Sequence, residues 1–295
     1  MSPRLAALAQ ALAVVISSSL VTVLAKRVLE EVRPFTFAWL QIGIGVAVLT
    51  AFMVGVRGVR IPRGLPPRVW IYLVLIGVGN FAVVRVTFML SLERIPAVTH
   101  AYLVNFVGIV TMLMSMWMLR ERPGPRQMVG AGLAVVALHV FFLEIPAPER
   151  LTGVMYAAVG VVALALTNNL ARQLVMITEG ELSNDVISTL AAWIGGIPIV
   201  IAGLMIDGWP SLARADSWWV IGLAGVVTIA VGLTVWNHVL RTLRSFEASL
   251  LGSLSVVFAA LFAIPILGEG LEPHEGAGIA MMMVAVVLTQ LRGRA

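Results

Sequence analysis

The feature that most constrains this chain is a series of apolar runs, each about twenty residues long, separated by short charged segments. A helix of that length crosses a hydrocarbon core roughly 30 Å thick. The runs lie at 5–25, 34–56, 69–92, 96–119, 127–146, 152–173, 185–206, 218–239, 245–267 and 275–291. We therefore predict an all-α integral membrane protein with ten transmembrane helices.

The composition excludes other fold classes. With 60% hydrophobic and 12% charged residues, the chain has too few polar side chains for a water-soluble globule. The runs are continuous and do not alternate in polarity, which excludes a membrane β-barrel. The chain has no cysteine, so disulfides, thiolate metal sites and cysteine nucleophiles are excluded as well. Connections of about four to twelve residues leave no extramembrane domain that could carry chemistry.

The basic residues between the runs predict the orientation, because Lys and Arg accumulate on the cytoplasmic side of a membrane. Connections on one side carry thirteen of them, including Arg57 and Arg120, whereas the other side carries six, including Lys26 and Arg94. We expect a multi-pass protein of the cytoplasmic (inner) membrane with both termini in the cytoplasm. Because these residues stand singly, the pI of about 10.6 does not indicate a nucleic-acid partner.

The second half of the chain repeats features of the first. Leu119-Arg120-Glu121 and Gly130-Ala131-Gly132 recur as Leu267-Gly268-Glu269 and Gly276-Ala277-Gly278, with the glutamates 148 residues apart and the triplets 146. Two copies of five runs each must cross the membrane in opposite directions, as in the inverted repeats of secondary transporters. We predict five-helix repeats at 1–146 and 147–295 around a central cavity. The alternative is coincidence in a chain rich in Gly and Leu.

Several segments resemble the EamA-like branch of the drug/metabolite transporter superfamily. They are the stretch from Val235 to Leu243 (VWNHVLRTL), the run Phe258-Ala259-Ala260-Leu261, the Leu267-Gly268-Glu269 triplet, and a looser copy from Leu92 to Glu121. The resemblance implies a basket of helices around a central cavity, with the fifth and tenth helices more peripheral. It also implies transport of small polar or amphipathic metabolites, often export of amino acids or related compounds.

One departure from that family concerns helix bending. The family commonly has a proline in the middle of the fourth and ninth helices, where this chain has Gly108 and Val256. Glycine still permits a kink, whereas valine does not by itself. Pro265, nearer the end of the ninth run, would supply part of the bending. The departure therefore bears on gating more than on the fold.

Arg85 is a basic residue inside a predicted span. Because a charge in hydrocarbon is costly, Arg85 should face the bundle interior or a water-filled cavity. All Asp and Glu residues fall in connections or within about a turn of a run end, so no internal acid would neutralise Arg85. Its planar donor fork suits a carboxylate or phosphate of a substrate. The alternative is that Arg85 snorkels to the outer interface.

Other runs supply further candidates for substrate binding. Tyr102 and Asn105 lie three residues apart on one helical face, at a depth similar to that of Arg85. They could hold a carboxylate and a neighbouring polar group, although Asn105 could instead bond another helix. Trp193 could wall a pocket for an apolar moiety or simply pack. Ser253 adds a hydroxyl in the ninth run.

A second set of polar and aromatic residues lies in the sixth and eighth runs and predicts an inner vestibule or gate. It comprises Asn168, Asn169, Trp236, Asn237 and His238. Since no internal carboxylate is present, His238, His100 and His139 are the remaining candidates for proton coupling. For His139, in the fifth helix, hydrogen-bonded packing is the favoured interpretation.

Several other residues are assigned structural roles. The run Ser17–Ser19, Thr22 and Gln41 could line the cavity, but bonding to the backbone is favoured. Glu121 and Glu269 should cap or bond another helix, and the Gly-Ala-Gly triplets should be close-packing faces. Tryptophans at span starts should anchor the chain at the membrane interfaces, namely Trp70, Trp218 and Trp219.

These patterns favour a secondary transporter that moves a small carboxylate-bearing, amino-acid-like metabolite by alternating access, with export favoured. Its partners would be the substrate and the lipid bilayer, with proton or exchange coupling, as a monomer or as a homodimer through the fifth and tenth helices. The alternatives are an exporter of cationic or neutral lipophilic compounds, a non-transporting scaffold, or an intramembrane enzyme. The sequence has no His-Glu metal helix, nucleophile elbow or ATP-binding loop, so we expect no catalytic residue, metal or cofactor.

Overall fold

The computed structural model describes residues 3–58, 64–120, 123–143, 148–179, 181–209, 215–242 and 251–290. Within these residues the chain is helical and contains no β-strand. The helices are labelled α1 to α10, and one label covers α-helical and π-helical stretches that follow one another directly.

In the first half, α1 is Pro3–Val28, and α2 is Pro34–Thr50 with a π-helical continuation, Ala51–Val56. Helix α3 joins Pro67–Gly77, the π-helical Val78–Val84 and Arg85–Arg94, α4 joins Ala97–Val104 and Val107–Met118, and α5 is Pro125–Phe141. In the second half, α6 is Pro148–Ile177, α7 is Asn184–Asp207, and α8 joins Ala215–Ala224, the π-helical Gly225–Val231 and Gly232–Thr242. Helix α9 is Leu251–Leu267 and α10 is Pro273–Gln290.

Among the described residues, seven helices are long and apolar enough to cross a membrane, namely α1 to α4 and α6 to α8. Helices α5, α9 and α10 are apolar but shorter. Each predicted apolar run overlaps one of these helices, which confirms an all-helical, multi-pass membrane protein. The count of ten crossings stays a prediction.

The ends of several helices follow from local sequence. Pro34, Pro67 and Pro125 stand in first turns, where proline loses no intrahelical hydrogen bond because the N–H groups there lack partners. Ser183 caps α7, since its Oγ accepts from the Val186 N–H at 3.3 Å. Gly268, with φ of 68°, ends α9 in the left-handed conformation that glycine adopts without strain.

The helices contact one another in matched pairs. The contact of α1 with α9 corresponds to that of α6 with α4. The contact of α1 with α8 corresponds to that of α6 with α3, and the contact of α2 with α8 corresponds to that of α7 with α3. Helices α2 and α7, α4 and α9, and α5 and α10 contact each other. Exchanging α1–α5 for α6–α10 leaves these contacts unchanged. Two like five-helix units related by a pseudo-two-fold axis produce such a pattern.

Glycines form the closest of these crossings. A Cβ on Gly45 of α2 would lie 2.8 Å from the carbonyl oxygen of Gly225 in α8. A Cβ on Gly195 of α7 would overlap the carbonyl oxygen of Gly77 in α3. Under the exchange of halves these two crossings are equivalent, and each needs residues without side chains for the backbones to approach.

Irregularities in the helices also occur at matching positions. The π-helical stretches of α3 and α8 begin at Val78 and Gly225, 147 residues apart. Helix α4 is interrupted at Asn105 and Phe106, and α9 at Leu254. In these turns the Asn105 N–H bonds the Tyr102 carbonyl at 3.2 Å, and the Leu254 N–H bonds the Leu251 carbonyl at 3.1 Å.

The missing mid-helix prolines therefore do not remove the interruptions. Gly108 and Val256 each follow an interruption by two residues, in helical backbone. Pro265 lies inside α9, which continues to Leu267. The tighter three-residue turns interrupt the regular α-helical hydrogen bonding at these points without a proline.

Helices α5 and α10 pack on each other at the side of the bundle. Gly278 of α10 lies against Phe141 of α5, because a Cβ on Gly278 would be 2.7 Å from the Phe141 Cβ. Ala134, Ala137 and Ala285 are buried in the same contact region. Gly278 and these alanines therefore pack within one chain.

Candidate functional site

Arg85 follows the π-helical stretch of α3 and reaches across to the π-helical stretch of α8. Its Nη1 donates to Thr228 Oγ1 at 3.2 Å, and its Nη2 donates to the Thr228 carbonyl oxygen at 3.4 Å. Its Nε is buried and has no hydrogen-bond partner among the described residues. The side chain is therefore anchored inside the bundle at the junction of the two halves.

Thr228 is shared with Gln41 of α2. Gln41 Nε2 donates to Thr228 Oγ1 at 2.8 Å, and that hydroxyl donates its own hydrogen to the Ala224 carbonyl oxygen at 2.7 Å. Gln41 is buried, and its Oε1 has no partner within the described part of the chain. We call Gln41, Arg85 and Thr228 the central polar cluster.

The central polar cluster carries a positive charge without a protein counter-ion. In the ranges that the structure describes, no carboxylate oxygen lies within 4.0 Å of the Arg85 guanidinium. The ion pairs lie at helix ends instead, where Arg57 meets Asp185 at 3.0 Å and Arg94 meets Glu93. An uncompensated cation inside a span is costly, so the cluster favours an incoming anion.

Two of the predicted binding residues are engaged elsewhere. Tyr102 is fully buried, and its ring stacks on Phe141 of α5 with the centroids 4.0 Å apart. Asn105 stands at the interruption of α4, and its Nδ2 donates to the Ala101 carbonyl oxygen at 2.8 Å. No hydrogen bond between described residues joins either side chain to Arg85.

Trp193 and Ser253 lie at other irregular points of the helices. Trp193 is half-buried, and its Nε1 donates to Thr50 Oγ1 at 2.7 Å, directly before the π-helical end of α2. Ser253 is buried next to the interruption of α9, 148 residues after Asn105. The two interruptions thus have polar residues at equivalent positions.

The predicted inner set divides into buried and exposed members. Asn169 is buried, and its Nδ2 donates to the Thr111 carbonyl oxygen of α4 at 3.0 Å. Asn168 is exposed, and it follows the exposed Val159 by nine residues, which turns roughly 180° around the helix. Asn168 therefore lies on the side of α6 opposite its exposed apolar face.

The other inner residues lie near the end of α8. Trp236 is half-buried against the cluster of Ala7, Ala11 and Val239, and His238 is exposed. The side chain of Asn237 lies outside the described residues.

In α4, His100 is buried with its Nδ1 3.0 Å from Ser91 Oγ. His139 is exposed on α5, so the expectation that it packs inside the protein is wrong.

Two charged residues hold the connection between α3 and α4. Lys26 of α1 donates from Nζ to the carbonyl oxygens of Leu92 at 2.7 Å and Glu93 at 2.8 Å. Glu269, after α9, accepts from the backbone N–H groups of Ala97 at 2.8 Å and Val98 at 3.2 Å. We call these contacts the α3–α4 clasp.

The α3–α4 clasp confirms the interhelix capping role expected of Glu269. A carboxylate at a helix N-terminus is favourable, because it satisfies free N–H groups and complements the positive end of the macrodipole. Asp207 also lies near the start of α2, but it accepts from side chains, namely Thr36 Oγ1 and Trp39 Nε1, both at 2.8 Å. Glu121, the sequence counterpart of Glu269, lies outside the described residues.

Sequence reasoning gave the wrong weight to part of the central polar cluster. Arg85 is visible as a charge inside an apolar run, but Gln41 was assigned to backbone bonding. The serines of α1 do bond back to their own helix, as Ser17 does to Ala13. Thr228 is visible in the sequence as a hydroxyl in the middle of an apolar run.

Comparisons with known proteins agree with this architecture. The model of the EamA-like transporter family matches residues 5–143 and again residues 151–291. Protein PecM of Dickeya dadantii (strain 3937) is 24% identical over a 239-residue alignment that covers 77% of this chain and 76% of that protein. A solved crystal structure matches with a TM-score of 0.69 and 18% identity over 97% of each chain. At that identity the likeness concerns the fold alone.

Proposed function

Because the chain belongs to the EamA-like transporter family, we propose that it carries a small carboxylate-bearing metabolite across the cytoplasmic membrane by alternating access, with export as the favoured direction. The observation that supports this substrate class is the guanidinium of Arg85, which lies inside the bundle and has, among the described residues, no carboxylate within 4.0 Å and no partner for Nε. Arginine binds carboxylates through parallel N–H donors, and bound carboxylate would neutralise the charge.

The proposed scaffold has ten membrane-crossing helices in two inverted repeats, 1–146 and 147–295. The matched helix contacts, the matched π-helical stretches and the two matches of the family model support this division. Five crossings per repeat place the two copies in opposite orientations. The excess of basic residues between alternate helices supports cytoplasmic termini.

Alternating access would use the irregular points of the helices. The interruptions of α4 and α9 and the π-helical stretches of α3 and α8 are weak points in the backbone ladder, where helices bend. The α3–α4 clasp joins the halves at the end proposed to face outward. Asn168 is exposed on the inner part of α6. We propose that the route to the cytoplasm passes Asn168, while the α3–α4 clasp restrains the outer end.

The proposal can be tested with ligand-induced thermal shifts of the detergent-purified protein. Amino acids, organic anions, organic cations and neutral metabolites would be compared on the wild type, Arg85→Gln, and the control Arg94→Gln at a helix end. A ligand at a hundred times its dissociation constant stabilises by about 2.7 kcal/mol, which a thermal shift resolves. We expect stabilisation by a carboxylate that is lost in Arg85→Gln and kept in Arg94→Gln, followed by flux in vesicles.

Two results would count against the proposal. Stabilisation by cations or neutral lipophiles alone would favour an exporter of such compounds. Equal stabilisation by carboxylates in wild type and folded Arg85→Gln would make Arg85 a structural residue. In either case the substrate-binding site would have to be sought at other residues.

A further inference from the structure

Two unpartnered polar atoms of opposite character occur in the central polar cluster. Gln41 Oε1 is a hydrogen-bond acceptor, and the Arg85 Nε–H is a donor. Both side chains bond the same atom, Thr228 Oγ1, at 2.8 Å and 3.2 Å. The two free atoms therefore belong to side chains that converge on one hydroxyl.

The orientation of the Gln41 amide follows from the hydrogen-bond network. Thr228 Oγ1 donates its only hydrogen to the Ala224 carbonyl oxygen at 2.7 Å, so it can only accept from its other neighbours. With the hydroxyl hydrogen on the Ala224 carbonyl oxygen, Gln41 presents its NH₂ group to this hydroxyl, because the flipped amide would place two acceptors face to face. The amide oxygen is then left as the free atom.

A buried amide oxygen of this kind requires a donor. An N–H group of Arg85 that binds a carboxylate is not available to Gln41 Oε1, and two other N–H groups of Arg85 already bond Thr228. A ligand that carries a donor next to its carboxylate satisfies both free atoms at once. A ligand with a carboxylate alone leaves Gln41 Oε1 without a partner, and burial without a partner is unfavourable.

Resting on the proposed function, we propose that Gln41 is a specificity-determining residue of the carboxylate site. Its Oε1 accepts a hydrogen bond from a hydroxyl or ammonium group on the carbon adjacent to the carboxylate that Arg85 binds. The site then selects 2-hydroxy or 2-amino carboxylates over the unsubstituted acids. Sites that hydrogen-bond a substrate group discriminate strongly against analogues that lack it.

The test uses three probes that share a phenyl ring and a carboxylate and differ in one substituent. They are L-phenylalanine, L-3-phenyllactate and 3-phenylpropanoate, with L-alanine, L-lactate and propanoate as a smaller series. Dissociation constants would be measured calorimetrically for the wild type, Gln41→Met, Arg85→Gln, and the control Gln10→Met on the exposed side of α1. Methionine keeps the length of glutamine but removes the acceptor.

We expect the wild type and Gln10→Met to prefer a donor-bearing probe over the unsubstituted acid by about tenfold to hundredfold. In Gln41→Met this ratio should fall close to one, while binding of 3-phenylpropanoate persists. Arg85→Gln should weaken every probe. If Gln41→Met does not fold, Gln41→Asn withdraws the amide by one methylene and should reduce the ratio in the same direction.

The outcomes separate the two proposals. An unchanged ratio in folded Gln41→Met, with binding still lost in Arg85→Gln, would overturn the role of Gln41 and leave the carboxylate site intact. A bridging water would then satisfy the amide oxygen. If no carboxylate binds, or if Arg85→Gln binds carboxylates as the wild type does, both proposals are overturned.

Discussion

Thr228 connects three helical segments through one hydroxyl, because it accepts from Gln41 and Arg85 and donates to its own helix. Replacing it with valine would leave two buried donors unpartnered while keeping the shape of the side chain. We expect Thr228→Val to lower the free energy of unfolding by about 1–3 kcal/mol. A thermal melt in detergent would measure the change.

Thr234 provides the matched control in the same helix. It is also buried, and its Oγ1 bonds the Ala230 carbonyl at 2.7 Å without accepting from another helix. Thr234→Val should therefore change the melting temperature much less than Thr228→Val. Equal effects of the two substitutions would mean that the bonds from Gln41 and Arg85 contribute no stability.

For single residues, the sequence shows where a charged side chain lies but not which residue it bonds. Arg85 could be identified because a guanidinium inside an apolar run needs an explanation. Its bond to Thr228 could not, because the face that a residue turns toward a distant helix depends on packing. Gln41 and Thr228 are 187 positions apart, and nothing in the local sequence links them.

Of the two glycine crossings between the halves, that of Gly195 with Gly77 is the tighter. A methyl group at Gly195 would overlap the Gly77 carbonyl, so α3 and α7 would have to separate. We expect Gly195→Ala to destabilise the protein by about 1–3 kcal/mol. Gly222→Ala, in α8 with open space around the added Cβ, should be neutral or slightly stabilising. Equal melting temperatures for the two variants would argue against a close crossing.

The α3–α4 clasp makes a prediction about access from the outer end. The chain has no native cysteine, so a single Thr99→Cys substitution at the buried start of α4 can report opening. Removing the carboxylate with Glu269→Ala loses a helix cap of about 0.5–2 kcal/mol. Labelling at position 99 by an impermeant maleimide should then accelerate by roughly twofold to thirtyfold.

Glu272→Ala is the control for this measurement, because Glu272 is exposed three residues after Glu269. It should leave the labelling rate at position 99 unchanged. If Glu269→Ala also leaves the rate unchanged, the capping contact does not restrain the outer end of the bundle.

The helices themselves were predictable, whereas their irregularities were not. Continuous apolar runs bounded by Arg, Pro and Gly give the helices to within a few residues, as at 34–56. The interruption at Leu254 has no proline or glycine within it, and Val256 argued against a bend. Next to this turn, Ser19 of α1 donates to the Ser255 carbonyl oxygen at 3.0 Å, a contact between helices that the local sequence does not reveal.

For the whole molecule, the distribution of basic residues predicts which ends face the cytoplasm. Glu181 follows α6 and Glu272 precedes α10, and both are exposed acids with little influence on topology. We expect an impermeant maleimide added to intact cells to label Glu272→Cys and not Glu181→Cys. Permeabilised cells should show labelling of both variants. The reverse pattern in intact cells would invert the proposed orientation.

The relation between the halves was also visible in the sequence, through the repeated Glu and Gly-Ala-Gly positions. What the sequence could not supply is how the repeats interlock. The small-residue faces of α5 and α10 suggested contacts between chains, but Gly278 packs on Phe141 of the same chain. Which apolar face meets which partner is decided by the three-dimensional arrangement.

The two halves differ in charge next to their π-helical stretches. Arg85 directly follows the stretch in α3, whereas Gly232 occupies the equivalent position in α8. A bound monoanion makes the central polar cluster electrically neutral, whereas the empty cluster keeps its positive charge. In the proposed alternating-access cycle, the transmembrane voltage would act on the resetting step of the empty carrier, by at most about 2.3 kcal/mol per 100 mV for a full charge. With a negative cell interior, that voltage would draw the empty carrier back to face the cytoplasm, so the proposed export of a monoanion would be electrically downhill.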